Sequence, residues 1–170
     1  VVDRAVENGC QVIAITDHAD ADRQATSDEY FAALEAARKK YPKLILLAGL
    51  EWNVPPWSGK EHATLLLPPN LPERQILREF QVLFDDWQRT GRDPDLALKA
   101  LDWLAHQAPT SADRPVVIYN HPCRKRTSPP TLVEELARWR KSSDIAIGFE
   151  GGPGHQDSDP IGAYKEKLTT

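Results

Sequence analysis

Two observations predict an α/β fold, of the barrel kind in which chemistry gathers where strands end. Short apolar runs of buried-strand type alternate with stretches of helical periodicity. The runs are Val12-Ile13-Ala14-Ile15, Leu44-Ile45-Leu46-Leu47, Ala63-Thr64-Leu65-Leu66-Leu67 and Val116-Val117-Ile118-Tyr119. Acids and histidines border them. Thr16-Asp17-His18, Gly49-Leu50-Glu51 and Asn120-His121-Pro122 close three runs, and His62 opens the other. Parallel barrel strands present their C-terminal ends on one face. Imidazoles and carboxylates collected there are what a divalent cation needs, so the pattern points to a metal-dependent hydrolase.

The chain opens on an amphipathic helical stretch with Val2, Ala5 and Val6 on one side, stopped by Gly9. A strand over residues 11–16 leads into an acid-rich loop, residues 19–24. Thr26 and Glu29 have capping-box spacing for a helix reaching Lys40, with Tyr30 or Phe31, Leu34 and Ala37 facing inward and Pro42 ending it. Strand 44–50 ends at Glu51, and the proline-rich loop 52–59 follows. Strand 62–67 is stopped by Pro68-Pro69. Ile76, Phe80, Leu83, Phe84 and Trp87 then mark an amphipathic helix. Pro94 suits the first turn of another helix, with Leu98, Leu101, Leu104 and Ala105 inward. After an exposed connection at 108–114 come strand 116–120, a helix capped by Thr131 and Glu134 that runs to Lys141, strand 145–149, and the glycine-rich stretch 151–154.

The 170 residues, 41% of them hydrophobic, suffice for a single domain spanning 1–170 with a substantial core. A net charge of −4 argues against a nucleic-acid binder relying on bulk positive charge. No apolar run is long enough to cross a bilayer, and no signal peptide or lipidation motif is visible. Cys10 and Cys123 match no zinc or redox spacing and lean towards a reducing, cytoplasmic compartment. There is no methionine, the chain starts within an amphipathic stretch, and it stops on Lys165-Glu166-Lys167-Leu168-Thr169-Thr170. It is expected to be a piece of a longer domain.

Each candidate site residue has a bland competitor. His18 suits a metal, with Asp17 able to fix its second nitrogen, or it is a turn histidine with Asp17 as a helix cap. Glu51 follows an apolar run, where a carboxylate is costly unless paired or coordinating, and its two oxygens can bridge two cations. The competitor is a surface glutamate. His62 stands at the start of its strand, so the strand-end rule does not place it, and alone it reads as a core histidine. His121 is held by the following proline, as suits a preorganised ligand. Glu150 is a ligand, a support for one, or a loop cap, and His155 lies in the loop beyond it. His106 answers a helix dipole. Arg124-Lys125-Arg126 suits an anionic substrate such as a phosphate, or is a solvated loop. Trp52 and Trp57 wall a pocket or pack on the barrel rim.

Ile15-Thr16-Asp17-His18, Gly49-Leu50-Glu51, His62 heading an aliphatic strand and Asn120-His121-Pro122 together resemble the PHP (polymerase and histidinol phosphatase) family, over residues 1–150. The resemblance implies a distorted (β/α)7 barrel, a cluster of two or three divalent metals (zinc, manganese or iron), and hydrolysis of a small phosphorylated substrate. It implies that Glu51 bridges two metals, that Glu51, His62 and His121 hold one, and that His18 helps hold a third. The family's early His-x-His pair and late Asp-x-His pair are absent here. They are expected before Val1 and after Thr170, making the barrel incomplete at both ends. Asp17, Glu51 and His121 are the candidate catalytic residues, Arg124 and His155 the candidate substrate contacts, and His18, Glu51, His62 and His121 the candidate metal ligands. An amidohydrolase-like barrel is the competing enzyme, although no lysine sits at a strand end to bridge metals. A degenerate domain serving as scaffold is the non-enzyme alternative.

Overall fold

A computed structural model describes residues 1–19, 24–55, 61–85, 93, 95–120 and 130–150. Its elements, in order, are α1 (Val2–Glu7), β1 (Val12–His18), α2 (Asp28–Lys40), β2 (Ile45–Asn53), β3 (His62–Leu67), α3 (Glu73–Phe84), α4 (Leu96–Ala105), a 3-10 turn at Ser111–Asp113, β4 (Val116–Tyr119), α5 (Pro130–Ser142) and β5 (Ala146–Phe149).

The α/β alternation is as expected, but the (β/α)7 barrel is not. Among the described residues the strands form one open five-stranded sheet in the order β1-β2-β3-β4-β5. β1 and β2 are parallel, β3 is antiparallel to both β2 and β4, and β4 and β5 are parallel. The connections explain this. Helix α2 carries the chain between β1 and β2, and α5 carries it between β4 and β5. A parallel return needs such a crossover of a dozen or more residues. Only residues 54–61 separate β2 from β3, so β3 has to come back antiparallel.

Local chemistry sets the helix ends. α1 closes in a Schellman arrangement: Gly9 adopts φ 81°, its N–H donates to Val6 O at 2.9 Å, and Cys10 N–H donates to Ala5 O at 3.0 Å. The expected capping box at Thr26 is displaced by one residue. Ser27 caps α2 by accepting from Tyr30 N–H at 3.2 Å. Thr26 is fully buried and gives its hydroxyl to Gln81 Oε1 on α3 at 2.7 Å. The second box fails as well, because α5 is already under way at Pro130, one residue before Thr131. Proline suits a first helical turn, where its missing N–H costs nothing.

One sheet face is covered by helices. Leu46, Ala48, Leu50 and Trp52 of β2, Ala63, Leu65 and Leu67 of β3, and Val117 and Tyr119 of β4 are all buried. Trp52 packs edge-on to Phe80 of α3 and stacks on Trp139 of α5, which also meets Tyr119. Arg38 of α2 forks onto Glu73 of α3 at 2.6 and 2.7 Å and also donates to Leu46 O. That bidentate pair clamps two helices to β2. At the far end of the other face, Val12 and Ile45 are 56% and 53% exposed.

The Tyr30 hydroxyl lies between β1 and β2. Its single proton is shared between Ile15 O at 2.9 Å and Gly49 O at 3.2 Å, and its oxygen accepts from Gly49 N–H at 2.9 Å. Burial, its main cause, pushes this phenol from 10.0 up to about 12. An unfolded tyrosine ionises near 10. The stabilisation is therefore complete below pH 10 and is lost as pH climbs towards 12. Thermal melts across that window are expected to show a falling midpoint, shallower in Tyr30→Phe. Identical slopes in the two proteins would contradict the assignment.

Candidate metal centre

The ladder registers bring the acid and two histidines together. His18 pairs with Glu51 across β1 and β2. Across β2 and β3, Glu51 pairs with Thr64 and Asn53 with His62. Cross-strand partners share a face, and residues two apart on a strand share it too. His18, Glu51, His62, Thr64 and Asn53 therefore occupy the face opposite the helices. Reversal of β3 solves the placement of His62: the start of an antiparallel strand lies at the edge where β1 and β2 end.

One donor atom from each of His18, Glu51 and His62 lies within 4.8 Å of the others. His62 Nδ1 stands 3.5 Å from Glu51 Oε1. The two imidazoles meet edge to face, with centroids 4.6 Å apart and planes at 86°. His62 is buried, while His18 and Glu51 are half-buried. Two imidazoles and one carboxylate, part-open to solvent, fit a hard or borderline divalent cation and leave room for water in its coordination shell.

Other residues hold this cluster in place. Asn120, just past β4, donates its side-chain amide to Glu51 Oε1 at 3.4 Å and accepts from Thr64 Oγ1 at 2.9 Å. Its backbone N–H donates to His62 O at 2.9 Å. Asn53 Nδ2 donates to Ala19 O at 3.4 Å and to the carboxylate of the fully buried Asp85 at 3.0 Å. That contact ties the residue after His18 to the end of α3. Thr64, Asn53 and Asp85 were not singled out from the sequence. The signal for the first two is spacing: Thr64 stands two residues from His62, and Asn53 two from Glu51.

The structure places the remaining candidates as follows. Asp17 is exposed and pairs with Leu50, so it lies on the opposite face from His18. The resemblance implies a separate metal for His18, whereas here His18 shares one donor cluster with Glu51 and His62. Glu150 follows β5 and is tied by its backbone N–H to Tyr119 O at 2.7 Å. His106 is exposed and donates Nδ1–H to Asp102 O at 2.7 Å, answering the end of α4 as expected. His121, Arg124 and His155 lie outside the described residues, as do Lys125, Arg126, Trp57, Trp87, Pro94 and Cys123. No helix among the described residues is long and apolar enough to cross a membrane.

No family model and no curated protein matches the chain. Among solved structures it is similar to a "putative metal-dependent phosphoesterase" from Bifidobacterium adolescentis. The two share 16% identity and a TM-score of 0.44, over 88% of this chain and 69% of that one.

Proposed function

We propose that this chain is part of a metal-dependent phosphoesterase of the PHP type, acting on a small phosphorylated substrate. The observation that carries the reading is the convergence of donor atoms from His18, Glu51 and His62 within 4.8 Å of one another. The sequence resemblance, which includes the Asn120-His121-Pro122 motif, supports the choice of phosphate ester. Glu51 and His62 are proposed as the core of the ligand set, with His18 and His121 completing it. Glu51 and His121 are the proposed catalytic residues, and Arg124 and His155 the proposed contacts to substrate anion; Asp17 is left out of the set because it lies on the opposite face of the sheet from His18. Zinc, manganese and iron all accept such a His/carboxylate set. A bound divalent cation supplies a water of lowered pKa and neutralises the phosphoryl oxygens as charge develops. The protein's part is to hold the donors at the open strand edge, where an anionic substrate can approach.

The test is metal retention by the chain after dialysis against manganese or zinc, followed by assay on an aryl phosphate. Wild type is expected to retain metal, and Glu51→Ala to lose it together with any hydrolysis. Retention unchanged in both Glu51→Ala and His62→Ala would overturn the site. A loaded protein inert towards phosphate esters would overturn the reaction.

A further inference from the structure

We propose that Asn120, oriented by Thr64, is the positioning residue for the Glu51 carboxylate and so sets the cation affinity of the centre. This rests on the metal site proposed above. A carboxamide has one accepting and one donating end. The Thr64 hydroxyl donates to Asn120 Oδ1 at 2.9 Å, which turns the amide nitrogen towards Glu51 Oε1 at 3.4 Å. Thr64 is itself the cross-strand partner of Glu51, so hydroxyl, amide and carboxylate form a relay from β3 through the end of β4 to β2. Asn120 also reaches the other ligand strand, because its backbone N–H donates to His62 O at 2.9 Å. One residue thus touches the acid through its side chain and the histidine strand through its main chain. It is buried, 8% exposed, so its rotamer is held by packing. A neutral donor on the carboxylate orients it without competing for the cation. Partners of this kind are worth about 10–100-fold in metal affinity.

The experiment uses the whole chain and cobalt(II) as the probe. It reads affinity by titration and ligand geometry by the visible absorption bands. Asn120→Ala is expected to weaken cobalt binding about 10–100-fold and to alter the bands. Thr64→Val should move both in the same direction, while Thr64→Ser, which keeps the hydroxyl, should restore wild-type values. Should Asn120→Ala fail to fold, the Thr64→Val and Thr64→Ser pair decides alone. Wild-type affinity and bands in Asn120→Ala and Thr64→Val, with binding lost in Glu51→Ala, would overturn this inference and leave the metal centre standing. Absence of cobalt bands in wild type, or their persistence in Glu51→Ala, would bring down both.

Discussion

Trp52→Ala is expected to cost about 3–5 kcal/mol of stability, the range for removing a fully buried large aromatic. Trp52 is 0% exposed, with its ring centroid 5.1 Å from Phe80 and 5.6 Å from Trp139. It is therefore the joint between the sheet, α3 and α5. Its indole N–H donates to Phe84 O at 2.9 Å, satisfying one of the last-turn carbonyls of α3 that have no partner within the helix. Alanine would leave a cavity among rings that cannot close up independently. Urea denaturation should show a lower midpoint at unchanged slope. Trp52→Phe should lose less, keeping most of the volume and forfeiting the hydrogen bond. Cobalt affinity of the remaining folded protein should be close to wild type, because Trp52 and Glu51 are adjacent on β2 and face opposite sides. A loss of no more than about 0.5 kcal/mol, typical of surface positions, would contradict the packing described.

Gly49→Ala is expected to injure stability and the metal centre together. Its backbone is ordinary, and space is what forbids a side chain. A Cβ there would stand 2.4 Å from Leu65 O, 2.7 Å from Thr16 Cγ2 and 3.1 Å from Leu66 Cδ2. The first neighbour is backbone of β3 and cannot rotate away, so β2 and β3 must part. Overpacking typically costs about 1–3 kcal/mol, and the upper end is expected here. Gly49 stands two residues before Glu51 on the same face, and its N–H and C=O both bond the Tyr30 hydroxyl. Displacing it moves Glu51 relative to His62. A denaturation curve and a cobalt titration on the same variant are expected to show both losses. Wild-type values in both would refute the close approach.

The sequence was most informative where physics is local. The four apolar runs became β1 to β4, the predicted strand 145–149 became β5, and the spacing of Ile76, Phe80 and Phe84 became the buried face of α3. Strand direction was not readable from those runs, because side chains alternate identically whichever way a strand points. The available clue was the length of the 54–61 connection, too short for a crossover. Without that clue the runs read as parallel barrel strands, among which His62 has no place. Thr26 is ambiguous for a related reason: a hydroxyl beside a helix start can cap it or reach elsewhere, and only tertiary packing puts Gln81 within reach. His18, Glu51 and His62 were legible because imidazole and carboxylate groups at strand borders are costly without a use. Thr64, Asn53 and Asp85 were invisible because their roles are defined by neighbours distant in sequence.

The pairing of β2 with β3 has a further consequence, one of parity. Glu51 and His62 share a side only because Glu51 stands two residues, an even step, from Asn53, the aligned partner of His62. A slip of one residue would swing one of them into the aromatic layer, where a cation has no partner. An ion that binds only the correct frame stabilises that frame by mass action. Loading the centre would thus proofread strand alignment, selecting one hairpin phase from the near-equivalent ones that a run of leucines permits.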